Sequence, residues 1–343
     1  MLQAVLKGPK NIEFCDVPKP EPGAGQVLVQ VKRIGVCGSD IHVYHGKHKY
    51  ATFPVVQGHE GSGVVVKTGP AVEDIAAGDL VTFRPQMFCG ECLLCRQGRY
   101  NLCDQYKVIG VLGSTTGMAS DYFLTDASKL HKLPPSMGAD AGAMVEPAAV
   151  AYHSVKLAGD VRGGKVLIVG AGPIGNLVAQ SAKALGAGKT MIVDINPIRL
   201  DLAKKCGVDF CVDTSKTDLE TAILANFGPD RADVIIDCAG IPKILEQLVR
   251  NARRGSNIVL VGNYYDAVPV ELGLVQRREI NLVGVMNYTA PDYEDVIRLI
   301  AEGKIKVSEL ITNHFPLKDY TKAYDYIDAN SNSVMKVLID VSE

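Results

Sequence analysis

Four of the nine cysteines lie close together in the chain, at Cys89, Cys92, Cys95 and Cys103. This Cys-x-x-Cys-x-x-Cys spacing, with a fourth cysteine shortly after, lets one compact loop bring four thiolates to a single metal ion. Four thiolates suit tetrahedral zinc and leave no open position, so we predict a structural zinc site. An iron–sulfur cluster is the alternative ligand, and four unligated cysteines are the remaining alternative.

A glycine-rich segment, Gly-Ala-Gly-Pro-Ile-Gly at 170–175, fits the pattern G-x-G-x-x-G. It follows a predicted strand and opens a predicted helix, and this context predicts a dinucleotide-binding turn rather than a turn without a ligand. The first glycine permits the tight turn, the second admits a pyrophosphate, and the third allows close helix–sheet packing. The predicted cofactor-binding residues of this turn are Gly170, Gly172, Pro173, Ile174 and Gly175.

An acidic residue, Asp194, follows at the end of the next predicted strand. A carboxylate at this place hydrogen-bonds the ribose hydroxyls and repels a 2′-phosphate, so it favours NAD over NADP. Arg199 is a nearby cation that would favour the phosphate, and we include it among the cofactor-binding candidates.

A third set of polar residues lies before and between these two patterns. It contains Cys37-Gly38-Ser39-Asp40-Ile41-His42, then Gly58-His59-Glu60, and later Glu146-Pro147. A single cysteine is usually a small core residue, and a single histidine is often structural. Together with the cysteine cluster and the dinucleotide turn, however, these residues favour a second metal site.

The elements that must position these residues change in character along the chain. Up to about residue 150 the sequence has short β-type runs, at 27–31, 63–66 and 80–83, separated by glycine, proline and aspartate. After about residue 160, apolar strands alternate with helices at 173–185 and 197–206, which predicts a doubly wound parallel sheet. The strands are expected at 166–169, 190–193, 210–212, 234–237, 258–261 and 280–283. An amphipathic helix near 292–302 and further strands end the chain.

Length and composition limit the classes of protein that remain. The chain has 343 residues, is 47% hydrophobic and carries a formal net charge of −2, as expected of a globular protein of about two domains. The lack of a basic excess argues against nucleic acid as a partner. No apolar stretch is long enough to span a bilayer, and no signal peptide precedes the first motif. The sequence therefore predicts a cytoplasmic protein.

The motifs at 35–40, 58–60, 89–103, 146–147, 170–175 and 313–317 together resemble the zinc-containing medium-chain alcohol dehydrogenase superfamily. Within it, the chain looks most like the sorbitol (polyol) dehydrogenase branch. The resemblance implies an α/β fold with a GroES-like, mostly β catalytic domain at 1–150 and 288–343. A doubly wound Rossmann domain that binds NAD is then expected at 151–287. The family also implies a homotetramer or homodimer.

The resemblance further implies two zinc ions per chain, one catalytic and one structural. The catalytic zinc would be bound by Cys37 and His59, with Glu60 as a third ligand and Glu146 as a direct or water-mediated one. Ser39 and His42 resemble the family's proton relay, in which a hydroxyl and an imidazole pass the alcohol proton to solvent.

The substrate is a small hydroxylated molecule, and three residues are candidates for contacting it. Polyol dehydrogenases carry an Arg-Tyr pair before the C-terminal helix, whereas this chain has Asn287 and Tyr288. Tyr44 follows the relay segment and is expected to face the same cleft. Because asparagine lacks the charged fork of arginine, this departure puts sorbitol itself in question.

The sequence therefore predicts zinc-dependent oxidation of a secondary alcohol of a polyol, sugar or sugar acid of the galactonate or gulonate kind, with hydride transfer to NAD. One alternative is an amino-alcohol dehydrogenase similar to threonine 3-dehydrogenase. Another is a non-catalytic relative that binds NAD.

Overall fold

The computed structural model describes residues 1–111 and 116–342. Internal contacts divide the chain into two compact units, one of Met1–Glu146, Thr289–Ala301 and Ile311–Glu343, the other of Pro147–Tyr288 and Glu302–Leu310. The segment 302–310 joins the second unit, where the backbone N–H of Lys306 donates to Gln180 Oε1 at 2.6 Å. The sequence analysis placed this segment in the catalytic domain, at 288–343. The assignment of a catalytic and an NAD-binding role to the two domains stays a prediction.

Seventeen strands and eleven α-helices form the described chain. The strands are β1 (Leu2–Gly8), β2 (Asn11–Asp16), β3 (Gln26–Gly35), β4 (Glu60–Thr68), β5 (Leu80–Phe83), β6 (Gln86–Met87), β7 (Lys107–Val108), β8 (Tyr122–Asp126), β9 (Leu130–Lys132), β10 (Lys165–Val169), β11 (Lys189–Asp194), β12 (Phe210–Asp213), β13 (Val234–Asp237), β14 (Asn257–Leu260), β15 (Asn281–Gly284), β16 (Ile311–Pro316) and β17 (Lys336–Asp340). The helices are α1 (Gly38–Tyr44), α2 (Leu93–Arg96), α3 (Ala139–Ala143), α4 (Val145–Leu157), α5 (Pro173–Ala184), α6 (Pro197–Lys205), α7 (Leu219–Phe227), α8 (Pro242–Asn251), α9 (Leu272–Arg278), α10 (Ala290–Ala301) and α11 (Tyr320–Ala329).

The first unit is built on a mostly antiparallel sheet of order β16-β17-β3-β4-β5-β9, with β8 also paired to β3. The alternation of apolar and polar residues along β3 and β4 puts one face on a core of buried valines and aromatics. The last strand, β17, pairs antiparallel with β3, so the end of the chain completes the sheet of the first unit. The register places Gly35 opposite both Glu60 and Leu338, which brings three distant segments together.

The second unit is a six-stranded parallel sheet of order β12-β11-β10-β13-β14-β15. Its central strands are continuous apolar runs that are buried on both faces, as expected when helices cover a parallel sheet. The order reverses at β10, and ligands of such sheets bind beyond the carboxyl ends of the strands near this reversal. The predicted doubly wound α/β class is therefore confirmed, as are all six predicted strands.

Among residues 1–111 and 116–342, none of the helices is both long and apolar enough to cross a bilayer.

Candidate active site and metal centres

Two groups of metal-ligating side chains occur among the described residues, and in each group the ligand atoms lie within 4.8 Å of one another. The first group is Cys89, Cys92, Cys95 and Cys103; the second is Cys37, His59 and Glu60. Both groups lie in the first unit. The structure therefore brings together the four predicted lobe cysteines and three of the four predicted ligands of the catalytic zinc.

The four-cysteine lobe is formed by the short helix α2 and the turns on either side of it. Cys89 Sγ lies 3.9 Å from Cys95 Sγ and 3.6 Å from Cys103 Sγ. Zinc–sulfur bonds of about 2.3 Å in a tetrahedron place sulfurs about 3.8 Å apart, so the four thiols fit zinc. The backbone N–H of Cys95 lowers the pKa of the Cys92 thiol to about 7, while burial raises the pKa of the Cys95 thiol to about 12, so Cys92 is the thiol of this pair that ionises first.

The second group has a different chemistry, because its donors are sulfur, nitrogen and oxygen. Cys37 precedes α1, while His59 and Glu60 lie where the chain enters β4. His59 is 4% exposed and Glu60 is 1% exposed. Zinc accepts all three donor types, and three protein ligands are the number found in catalytic zinc sites, where a fourth position takes water or substrate. The residues therefore fit a catalytic zinc.

Asp40 orients the histidine of this group. Its Oδ2 accepts from the N–H of Cys37 at 3.0 Å, and its Oδ1 lies 3.4 Å from His59 Nδ1. The other ring nitrogen, Nε2, lies 3.5 Å from Ser39 Oγ. Burial alone would lower the pKa of His59, but Asp40 and Cys37 together raise it well above its ordinary value. Asp40 Oδ1 faces Nδ1 at an ion-pair distance without a hydrogen bond, and Nε2 is the ring nitrogen that is available to a metal.

Lys336 is the second neighbour of the group. Its ammonium donates to Glu60 Oε2 at 2.6 Å and to the Val36 carbonyl at 3.2 Å, and it is 4% exposed. Burial would lower the pKa of this lysine, but Glu60, Cys37 and Glu146 carry it above its ordinary value. The carboxylate of Glu60 is thus shared between a buried cation and the metal-ligand group.

The two predicted relay residues lie on α1, three residues apart, and therefore on one face of the helix. Ser39 borders His59 directly, as its distance shows. His42 is half-buried, and its pKa is lowered by burial and, to a smaller extent, by Lys47 and His45. A lowered pKa favours the neutral imidazole, which can accept a proton at neutral pH. The relay itself stays a prediction.

Four predicted residues lie elsewhere. Glu146 is buried in the first turn of α4 and is not a member of the group formed by Cys37, His59 and Glu60. Tyr44 is in the core of the first unit, where its ring stacks on Tyr324 with 4.2 Å between centroids. A packed ring has no free face for a substrate, so the structure does not support the substrate contact expected of Tyr44. Asn287 and Tyr288 follow β15 in the second unit; Asn287 has a left-handed φ of 46° and Tyr288 is buried.

The glycine turn lies between β10 and α5. A Cβ on Gly175 would come within 1.8 Å of the Gly170 carbonyl oxygen, so only glycine fits there. A Cβ on Gly172 would meet no atom within 4 Å, which leaves the backbone open to a ligand at the start of the helix. Pro173 is the first residue of α5, and Ile174 follows it. Backbone N–H groups and the helix dipole at this end favour a pyrophosphate.

Asp194 ends β11 and is tied to the glycine turn. Its Oδ2 accepts from the N–H of Ala171 at 2.6 Å, and its Oδ1 accepts from the N–H groups of Ile195 and Asn196 at 2.7 and 2.9 Å. These three bonds use both acceptor positions of Oδ1 and one of Oδ2, so Oδ2 can still accept a hydrogen bond from a ribose hydroxyl. Arg199 lies in the first turn of α6, where its backbone N–H donates to Asn196 Oδ1 at 3.3 Å.

Two residues of the active site were missed by the sequence analysis. Asp40 had a weak signal, because Cys-x-x-Asp at a helix start lets the carboxylate accept from the first N–H. Lys336 had none: it is 276 residues from Glu60, and only the sheet register brings the two together.

Comparison with known proteins agrees with this architecture. Residues 23–135 match the profile of the alcohol dehydrogenase GroES-like domain, and residues 173–302 match that of the zinc-binding dehydrogenases. These two matches cover both metal-ligand groups, five strands of the sheet of the first unit and most of the parallel sheet.

Individual relatives match over nearly the whole chain. A 2-dehydro-3-deoxy-L-galactonate 5-dehydrogenase of Pseudoalteromonas atlantica is 34% identical, over 99% of this chain and 98% of its own. A sorbitol dehydrogenase of Bombyx mori is 35% identical, over 98% of both chains. A Sinorhizobium meliloti protein of the zinc-binding dehydrogenase type, solved with NADP, superposes with a TM-score of 0.91 at 31% identity, over 99% of both chains. The chain therefore belongs to the zinc-binding medium-chain alcohol dehydrogenases, in the branch of enzymes that contains the polyol dehydrogenases.

Proposed function

We propose that this enzyme oxidises a secondary alcohol of a polyol, sugar or sugar acid to the ketone and transfers the hydride to NAD. The observation that carries the proposal is the group of half-buried Cys37 with buried His59 and Glu60, whose ligand atoms lie within 4.8 Å of one another. Relatives named for a sugar acid and for sorbitol support the substrate class. Overall, the alcohol gives up a hydride to NAD⁺ and a proton to solvent.

The protein's part is to hold and orient the reacting groups. Zinc bound by Cys37, His59 and Glu60 supplies Lewis acidity, which makes the hydroxyl of an alcohol a stronger acid. Asp40 keeps His59 in the orientation that presents Nε2, and Lys336 balances the charge of Glu60. We assign Ser39 as the acceptor of the alcohol proton, because its hydroxyl borders His59 Nε2. His42 then carries the proton towards solvent.

The cofactor part of the proposal is carried by the turn at 170–175 and by Asp194. The open backbone at Gly172 would take the pyrophosphate, and the carboxylate of Asp194 would take the ribose hydroxyls. Since a 2′-phosphate would meet this carboxylate, we assign NAD as the preferred cofactor, although a structural relative was solved with NADP.

The substrate contacts remain part of the proposal. Asn287 can donate and accept hydrogen bonds but carries no charge, so it suits a hydroxyl better than a carboxylate. Tyr288 keeps the tyrosine of the Arg-Tyr pair that the resemblance implies, but its side chain is buried like that of Tyr44, so we propose Asn287 as the substrate contact. We further propose that the protein is a cytoplasmic homotetramer or homodimer; light scattering after size exclusion measures the oligomeric state.

The test combines metal analysis with a screen for NADH formation. The substrates are sorbitol, xylitol, galactitol, inositols, galactonate, gulonate and threonine, each with NAD and with NADP. We expect two zinc ions per chain, one for each ligand group, and NADH formed on a polyol or sugar acid. Turnover on threonine alone would move the assignment to an amino-alcohol dehydrogenase. One zinc per chain, without turnover on any substrate, would contradict the proposal and favour a non-catalytic protein that binds NAD.

A further inference from the structure

A buried amide side chain, Gln57, lies just before the Gly-His-Glu segment that supplies two of the proposed zinc ligands. It is 1% exposed, and the residues before it, Val55 and Val56, are buried and apolar. Burying an amide is costly unless both of its ends are hydrogen-bonded. An apolar side chain would pack equally well at this position, so the amide group itself is expected to have a role.

The nitrogen of this amide contacts Asp40. Gln57 Nε2 donates to the backbone carbonyl of Asp40 at 3.1 Å and lies 3.5 Å from its Oδ1. Asp40 is itself 1% exposed, accepts from the N–H of Cys37 and faces Nδ1 of His59. The amide therefore contacts the residue whose side chain faces both Cys37 and His59.

The oxygen of the amide is fixed from the other side by Tyr324 on α11. The Tyr324 hydroxyl donates to Gln57 Oε1 at 2.9 Å, and the tyrosine is 1% exposed. Its ring stacks on Tyr44 at an interplanar angle of 10°, which restrains the hydroxyl. A flipped amide would bring its oxygen against the Asp40 carbonyl, which can only accept. That carbonyl therefore selects the orientation in which Nε2 faces Asp40, and the Tyr324 hydroxyl satisfies the oxygen on the other side.

We propose that Gln57 and Tyr324 are positioning residues for the catalytic zinc, which act by holding Asp40 in the place where it orients His59. The inference rests on the proposed function, because it requires zinc at Cys37, His59 and Glu60. A hydrogen-bonded chain runs from Tyr324 through Gln57 to Asp40, and it joins the C-terminal helix to the metal-ligand group. Loss of a partner behind a metal ligand lowers metal affinity by about 10–100-fold.

The test compares Gln57→Met and Tyr324→Phe with the wild type. Methionine keeps the length of glutamine without its amide, and phenylalanine keeps the ring that stacks on Tyr44. Tyr326→Phe is the matched control, because it also removes a tyrosine hydroxyl from α11. That hydroxyl accepts from Asn313 at 3.3 Å. Chelator competition measures the affinity of each zinc, and Cys37→Ala supplies the baseline in which the lobe alone is loaded.

We expect Gln57→Met and Tyr324→Phe to release the catalytic zinc about tenfold more readily than the wild type, while the lobe zinc is unchanged. At saturating zinc, kcat is expected to fall more than KM rises, since the ligand geometry rather than substrate binding is disturbed. The double variant should be no worse than Gln57→Met alone, because the two residues act through one chain of hydrogen bonds. Tyr326→Phe should behave as the wild type.

The outcomes separate this inference from the proposed function. Two zinc ions per chain, with wild-type affinity in both variants, would overturn the inference alone. An equal loss of both zincs together with a lowered melting temperature would also overturn it, because it would show a general loss of stability. A wild-type chain that holds only the lobe zinc would overturn the proposed function and this inference with it. If Gln57→Met fails to fold, Tyr324→Phe still decides, because it removes one hydroxyl and keeps the packed ring.

Discussion

The two metal-ligand groups of this enzyme differ in how the chain assembles them. All four ligands of the cysteine lobe come from one segment, 89–103, and the main support there is backbone N–H groups that point at sulfur. The other group takes Cys37 from the start of α1 and its two remaining ligands from the start of β4. Asp40, which faces His59, also lies on α1, whereas Lys336, which pairs with Glu60, comes from β17 near the end of the chain.

This difference has a chemical counterpart. The lobe offers four like donors and no open position, so its metal can only hold the lobe together. The second group offers three unlike donors inside a buried network with a competing lysine, so its metal can exchange a ligand. The comparison therefore predicts that loss of a lobe cysteine lowers the stability of the fold, whereas loss of a ligand of the second group lowers the rate of turnover.

The largest effect is expected from Cys37→Ala. Loss of this thiolate removes the catalytic zinc, and turnover should fall by about a thousand-fold or more, because Lewis acidity supplies several kcal/mol to such reactions. Zinc content should fall from two ions to one, with the melting temperature nearly unchanged. Metal analysis and NADH formation on the best substrate measure both effects.

Cys206→Ala is the matched control for that variant. Its thiol is buried, and burial raises its pKa to about 11, but it belongs to neither metal-ligand group of the described residues. It should keep both zincs and full activity. If Cys37→Ala retained full turnover, the assignment of the catalytic zinc would be wrong.

The second effect tests the lobe. Cys103→Ser removes the one buried thiol of the lobe, which accepts from the N–H groups of Cys89 and Gln105. Structural zinc contributes about 10 kcal/mol or more to the folding of small zinc modules, so we expect the lobe to unfold and the melting temperature to drop by about ten degrees. The catalytic zinc and kcat at low temperature should persist. A loss of activity equal to that of Cys37→Ala would remove the distinction between the two groups.

The third effect tests the buried ion pair. Lys336→Met leaves the carboxylate of Glu60 without its cation, and breaking such a pair costs about 3–5 kcal/mol. Bound zinc would supply positive charge to the same carboxylate, so the loss should be smaller in zinc-loaded than in metal-free protein. Denaturant unfolding of both forms measures the difference, and Lys336→Arg keeps the charge as a control. An equal loss in both forms would show that Glu60 does not serve the metal.

The fold was predictable where the pattern is local. Strands β10 and β13 are short apolar runs, and each is recognisable without any knowledge of its neighbours. The glycine turn carries its geometry in its own residues, since the Gly170 carbonyl leaves no room for a side chain at Gly175. The cysteine lobe was predictable for the same reason.

The rest required the tertiary structure. Nothing near Glu60 in the sequence points to Lys336, which arrives through the pairing of β17 with β3. The structure gives no support to the substrate contact predicted for Tyr44, because a tyrosine near the active site in sequence can equally be core, and here its ring stacks on Tyr324. Which side chains complete a buried network depends on strand register and packing, and the local spacing of residues in the sequence does not determine either.

The smallest effect is expected at Asp194, whose carboxylate joins the glycine turn to β11. Asp194→Ala removes the expected acceptor of the ribose hydroxyls and the repulsion of a 2′-phosphate, so the preference for NAD over NADP in kcat/KM should fall about tenfold, equivalent to about 1.4 kcal/mol. Asp201→Ala, an exposed acid on α6, is the control for loss of negative charge near the turn. Asp194→Asn keeps one carbonyl oxygen for the N–H of Ala171 and separates loop support from charge. If the alanine variant weakens both cofactors equally while the asparagine variant matches the wild type, Asp194 supports the turn and does not select the cofactor.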